Sequence, residues 1–151
     1  MYSVQITSEV GNSNYNRCGM GWGLSTMNYD GYPPYAWDGY PGNDLSSFGV
    51  LGGGILQYQS TTVQSGLPTF GISGDVIDVA IYDGVGWWIR VNNGFWNNDS
   101  NADPVTNVSS LSTFGLTGLF PAGCPGAWTQ AGSCILIDRP SSNIPSGYTF
   151  L

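Results

Sequence analysis

Gly74-Asp75-Val76-Ile77-Asp78-Val79-Ala80-Ile81-Tyr82 leads into Asp83-Gly84-Val85-Gly86, then Trp87-Trp88-Ile89-Arg90-Val91 and Asn92-Asn93-Gly94. The Val, Ile and Trp residues suit a pleated, half-buried surface. Asp-Gly and Asn-Gly supply residues that accept the positive dihedrals of tight turns. The stretch therefore reads as two β-strands joined by a glycine-rich turn, the second strand ending in an Asn-Gly turn. Trp87 and Trp88 point to opposite faces of that second strand. Asp78 lies mid-strand among Ile77, Val79 and Ile81. It is either solvent-facing or the ion-pair partner of Arg90 on the adjacent strand, an exposed pair of that kind contributing ~0–1 kcal/mol.

Outward from this hairpin the chain keeps the period of two. Tyr2, Val4 and Ile6 alternate with Ser3, Gln5 and Thr7, a strand with one buried and one solvated face. In Cys18 to Leu24 the apolar residues Cys18, Met20, Trp22 and Leu24 share one face and Gly19, Gly21 and Gly23 the other. A face without side chains admits something close to the backbone: a packed sheet or loop, which we favour, or a ligand. Further strands are expected around Phe48 to Leu51, Ile55 to Tyr58, Thr113 to Leu116 and Cys134 to Asp138, with a polar loop over 97–107. No amphipathic helix is visible.

The same residues resemble SPRY domains, especially the SPRY-like modules of bacteriophage proteins. Gly74 to Ile77, Asp83-Gly84, Trp88 and Asn93-Gly94 match the family's central hairpin in order. Tyr2-Ser3-Val4-Gln5-Ile6 is similar to its early strand, Phe120-Pro121-Ala122 to its late Tyr/Phe-Pro-Ala element, and Pro145-Ser146-Gly147-Tyr148 to a common terminal segment. The family usually carries a small residue where Asp78 stands, and the strands it places upstream of Tyr2 are absent. The resemblance implies an all-β fold, a two-sheet antiparallel β-sandwich of the concanavalin-like jelly-roll type. It covers residues 1–151 as a single domain, trimmed of N-terminal strands or excised from a longer fibre protein. It also implies that Trp88 is the core aromatic and Trp87 lies on the outer face.

Composition narrows the function. The 151 residues carry a net charge of −7, only 9% are charged, and the cations are Arg17, Arg90 and Arg139, with no Lys and no His. Disordered chains are poor in aromatics; this one has 14% aromatics and 23 Gly, which suits a turn-rich globular fold. A length of this order is one domain that buries about 70% of its unfolded surface. Phosphate contacts need Lys and Arg, so the charge argues against nucleic acid as a partner, and against anionic membrane surfaces with it. No apolar run reaches the roughly 20 residues of a spanning helix, so membrane insertion is not expected. Without His or Lys the usual general bases and amine nucleophiles are missing, and no enzyme is expected.

Three candidate features remain. Tyr29, Tyr32, Tyr35, Trp37 and Tyr40 crowd into twelve residues with Asp30 and Asp38, within an echo of Asp30-Gly31-Tyr32-Pro33 and Asp38-Gly39-Tyr40-Pro41. Tyr and Trp combine an apolar face with a polar tip, and carboxylates accept sugar hydroxyls. The loop reads as cover for the sandwich, as a subunit interface, or as a glycan or receptor contact, with Tyr32, Tyr35, Trp37, Asp38 and Tyr40 as the ligand candidates. Asp99, Asn101 and Asp103 stand at alternate positions like the start of a calcium loop, but Pro104 replaces the required Gly and Ser110 the later acid. A solvated loop without a cofactor is the expectation there. Cys18, Cys124 and Cys134 are an odd set; Cys124 and Cys134 either face each other across a hairpin-like connection as a disulfide or stay reduced.

The leading expectation is a non-enzymatic virion surface protein: a phage fibre, tailspike or capsid decoration. It would bind host-surface glycan, a receptor or other virion proteins, outside the cell, as a homo-oligomer that is a trimer if carried on a fibre. The alternatives are an intracellular SPRY module that binds a peptide and a secreted lectin.

Overall fold

The computed structural model describes residues 1–8, 19–26, 40–124, 133–140 and 143–149. Nine strands run in chain order: β1 (Tyr2–Ser8), β2 (Gly19–Gly23), β3 (Ser47–Leu51), β4 (Ile55–Tyr58), β5 (Thr61–Gln64), β6 (Val76–Tyr82), β7 (Gly86–Val91), β8 (Phe120–Cys124) and β9 (Ser133–Leu136). They form a four-stranded sheet in the order β7-β6-β1-β9 and a five-stranded sheet in the order β5-β4-β3-β2-β8, with antiparallel pairing throughout. No α-helix occurs among the described residues; a 3-10 turn spans Trp96–Asn98. The fold is the all-β, two-sheet antiparallel sandwich expected from the sequence.

The signature stretch pairs with itself. Ile77 faces Val91, Val79 faces Ile89 and Ile81 faces Trp87, while Asp78 faces Arg90 and Ala80 faces Trp88. Because strand side chains alternate, the first set enters the space between the sheets and the second lies on the outer face. Tyr2, Val4 and Ile6 from β1, Met20 and Trp22 from β2, Phe48 and Val50 from β3, and Leu56 from β4 complete the inner layer. Phe48 packs on Trp87 with ring centroids 5.3 Å apart, and Tyr2 meets Trp22 edge-on at 5.1 Å. Each such pair adds about 0.5–1.5 kcal/mol beyond its buried area. The Tyr2 hydroxyl crosses the core and donates to the carbonyls of Gly21 and Ala122, so even its polar tip is satisfied.

The tryptophan assignment is reversed. Trp87 is the inter-sheet aromatic, and Trp88 stands on the outer face of the four-stranded sheet with Met1, Ala80 and Trp96. Both are fully buried because the segment after β7 folds back as a second cover. The Trp87 indole donates to the Ser112 carbonyl and the Trp88 indole to that of Val108. Asn97 fastens the same segment, accepting from the Ile89 N–H and donating to the Ser109 carbonyl.

Other expectations shift for local reasons. Thr113 to Leu116 is a turn, since Phe114 and Gly115 take positive φ and the Leu116 N–H returns to the Thr113 carbonyl. Phe114 instead stacks on Tyr58, 4.2 Å between centroids. The strand in that region is β8, whose Pro121 is tolerated because β8 is a sheet edge. Asn92 and Asn93, not Gly94, supply the positive φ of the turn after β7. The Cys124–Cys134 connection is not a hairpin, because β8 and β9 belong to different sheets; the Cys124 side chain lies outside the described residues.

The glycine face of β2 is covered by chain. A Cβ at Gly19 would stand 3.3 Å from Pro41 Cδ and 3.6 Å from Tyr40 Cβ, and one at Gly49 of β3 only 2.6 Å from Pro41 Cβ. The loop reading of that face holds.

Candidate functional site

At one end of the sandwich four segments enclose a groove of about 500 Å³. They are the tip of the β6–β7 hairpin with Tyr82 and Asp83, the turn from Pro104 to Asn107, Gly118 with Leu119, and the terminal stretch Ser146 to Thr149. That volume falls within the range of small-ligand sites. Each wall is held by a named contact. In the hairpin, the Val85 N–H closes on the Tyr82 carbonyl and Gly84 takes φ +74. Asp83 Oδ2 accepts the Gly118 N–H at 3.0 Å and so ties the hairpin tip to the segment before β8. The Asp103 carboxylate accepts the Val105 N–H and the Thr106 hydroxyl, at 2.9 and 2.8 Å, and fixes the second wall. The Tyr148 hydroxyl donates to the Pro104 carbonyl, which binds the terminal stretch to that wall.

Inside the groove the chemistry is aromatic and hydroxyl-like. Tyr82 is 54% exposed, so a large apolar ring stands open at the rim. Asp83 is exposed, and its Oδ1 makes no hydrogen bond among the described residues, nor does the Asn107 carboxamide. Trp22 lines the inner end; its indole N–H is buried without an acceptor among the described residues. Burial pushes the Tyr148 phenol up to about 12, with the charge of Asp103 and then Tyr82 adding to the effect. Tyr148 therefore stays a neutral donor across the physiological range.

A second hollow of about 330 Å³ is lined by Gly52, Gly53, Thr69, Phe70, Ile72 and Asp75. Its one carboxylate is already engaged, Oδ2 by the Gly71 and Ile72 N–H groups and Oδ1 by the Asn92 carboxamide. With its carboxylate already spent on the protein's own turns, it is the weaker candidate.

Of the residues singled out from the sequence, Tyr32, Tyr35, Trp37 and Asp38 lie outside the described residues. Tyr40 is half-buried where the chain crosses Gly19, so this end of the aromatic loop serves as cover. The calcium candidates serve their own turns. Asp99 Oδ1 accepts from the Asn101 backbone and carboxamide, and Asp103 is spent on Val105 and Thr106. The Asn101 N–H, then the Ser109 hydroxyl, holds the Asp99 carboxyl below its ordinary value. Among the described residues no three His, Cys, Asp or Glu side chains are grouped to hold a metal ion.

Asp78 is neither solvent-facing nor part of an exposed pair. Its carboxylate is fully buried; Oδ2 accepts from Arg90 Nε at 2.8 Å and from Arg139 Nη2 at 3.3 Å, Oδ1 accepts the Ser3 hydroxyl at 2.5 Å, and Arg139 Nε lies 3.1 Å from Oδ1 as an ion-pair contact. The Arg90 guanidinium also lies 4.4 Å over the Trp96 ring and donates to the Asn143 carbonyl, while Arg139 donates to Asn93. Two of the three cations of the chain are thereby consumed inside the fold.

Tyr82, Asp83 and Tyr148 were visible in the sequence only as a hairpin tip and a terminal segment, with nothing to join them across more than sixty residues. An aromatic residue beside an Asp-Gly turn was the one available signal. No protein-family model matches the chain, and no curated protein matches it either.

Proposed function

We propose that this chain is a non-enzymatic surface domain of a virion, a phage fibre, tailspike or capsid decoration, that binds a host-cell glycan through loops at one end of its sandwich. The observation that carries this reading is the groove beside Tyr82, Asp83, Asn107 and Tyr148. An open aromatic ring offers a face for sugar C–H groups, and the unengaged Asp83 Oδ1 and the Asn107 carboxamide offer hydrogen bonds to hydroxyls. Among the described residues Asp83 is the one carboxylate lining the groove, so the paired acids of glycoside hydrolysis are not assembled there. The resemblance to phage SPRY-like modules and the low-charge, Asn- and Gly-rich composition support the virion setting. Display on a trimeric fibre multiplies weak contacts through effective concentration, which suits a shallow site.

A glycan array and a host-cell adhesion assay on the wild type and Tyr82→Ala test this. We expect at least about tenfold weaker binding in the variant, the loss typical of a truncated aromatic anchor. Unchanged binding removes the groove from the site. Absence of any glycan or cell binding removes the function.

A further inference from the structure

We infer that the inner end of the groove receives the acetamido group of an N-acetylated sugar; this rests on the glycan reading above and adds the substituent that the site selects. The deciding group is Trp22. Its side chain is fully buried at the inner end of the groove, and its indole N–H has no acceptor among the described residues. Trp87 and Trp88 are equally buried, yet each gives its N–H to a carbonyl, at 3.0 and 2.9 Å. Folded proteins rarely leave such a donor unmatched, because burial without a partner forfeits its bond to water. A ligand oxygen at the inner end of the groove completes it.

The surroundings of Trp22 set the kind of oxygen. Ile81 and Leu119, half-buried against the same core layer, line the groove with it. A group that suits this place carries one acceptor and an apolar surface beside it. The acetamido group has that form: its carbonyl accepts from the indole N–H, and its methyl covers Ile81 and Leu119. A ring hydroxyl also accepts, but it brings a donor proton of its own to the apolar wall and covers none of it. A carboxylate accepts as well and loses its hydration there. The rim takes the rest of the sugar. The open ring of Tyr82 meets ring C–H groups, while Asp83 Oδ1 and the Asn107 carboxamide take hydroxyls.

A glycan array of matched pairs tests this, each pair differing only in an acetamido group against a hydroxyl at the same ring carbon, as in triacetylchitotriose and cellotriose. Titration calorimetry with the whole protein then measures the pairs that bind. The acetamido member should bind at least about tenfold more tightly, the effect of leaving a buried donor without its acceptor in the other. Trp22→Phe keeps a ring, loses the donor and should erase the preference. Nuclear magnetic resonance of the isotope-labelled native chain gives a readout that needs no variant. The Trp22 indole N–H, assigned through its contacts with the Tyr2 ring 5.1 Å away, should move downfield with the acetamido member and stay in place with the hydroxyl one. Equal binding within the pairs, an unmoved Trp22 resonance, or a preference that survives Trp22→Phe overturns the acetamido assignment and leaves glycan binding standing. So does tighter binding of a carboxylate-bearing glycan, drawn by the Met1 ammonium that also lines the groove. Binding of no glycan at all overturns the assignment together with the glycan reading.

Discussion

Single residues decide which atoms of this protein are available to a partner, and Tyr148 illustrates how. Its hydroxyl spans from the terminal segment to the Pro104 carbonyl, and burial pushes its ionisation up to about 12. A phenol titrates near 10 when unfolded, so the folded state favours the protonated form. That preference stabilises the fold fully below about pH 10 and is lost as pH rises to about 12. Thermal unfolding followed against pH should therefore fall more steeply over that window in the wild type than in Tyr148→Phe, which has no proton to lose. Equal slopes would mean that Tyr148 is solvated. Little of this was legible in the sequence. Pro145-Ser146-Gly147-Tyr148 read as a terminal segment because its partner Pro104 is 44 positions away. Likewise, alternation placed Trp87 and Trp88 on opposite faces, but which face looks inward depends on the second sheet. Phe48 settles that, and no local pattern names it.

Elements were more legible than residues, for a physical reason. Strands β1 to β4, β6 and β7 carry a period of two or a dense run of Val, Ile and Trp, and each lies close to its expected place. β5 is Thr-Thr-Val-Gln, exposed along its length at a sheet edge, and β8 is Phe-Pro-Ala-Gly-Cys. β5 is solvated on both faces, and Pro and Gly interrupt β8, so neither shows the pattern that marks a core strand. The alternating glycines of β2 were the most exact signal, because they state a close approach rather than a propensity. At Gly21 a Cβ would fall 2.0 Å from the Phe48 carbonyl oxygen and 2.5 Å from Gly49 Cα, both backbone atoms that cannot step aside. Gly21→Ala should thus force β2 and β3 apart and cost the upper end of about 1–3 kcal/mol in urea unfolding. Gly123→Ala is the matched control. There the nearest atom is Met20 Sδ at 2.9 Å, the yielding end of a flexible side chain, and the loss should stay below about 1 kcal/mol. Comparable losses at both positions would show that added volume alone, rather than backbone contact, sets the penalty.

At the scale of the whole molecule, the charge cluster at Asp78 ties together parts of the chain that no sheet register joins. Ser3 comes from β1, Asp78 from β6, Arg90 from β7 and Arg139 from the segment beyond β9, and the two arginines reach on to Asn143 and Asn93. The sequence offered only the cross-strand half of this, Asp78 with Arg90. Arg139 is 61 positions from Asp78, and its arrival turns a surface pair into a buried one. A buried carboxylate between two cations is not a source of stability by comparison with apolar residues, yet removing it leaves two desolvated guanidinium groups unpaired. Asp78→Asn should accordingly cost about 3–5 kcal/mol in urea unfolding, far above the ~0–1 kcal/mol of an exposed pair. Arg139→Gln distinguishes a clamp from a merely stabilising cluster. It leaves the Asp78–Arg90 and Arg90–Asn143 contacts in place and removes the tie at the Arg139 end, upstream of the stretch from Ser146 to Thr149 that walls the groove. Native-state hydrogen exchange should then show loss of protection at the Asn143 and Tyr148 N–H groups, which bond to the Pro140 and Pro145 carbonyls, by about tenfold or more, while the β3–β4 amides keep theirs. Uniform loss across both sheets would instead make Arg139 part of the global fold, and the groove wall would have no separate opening to control.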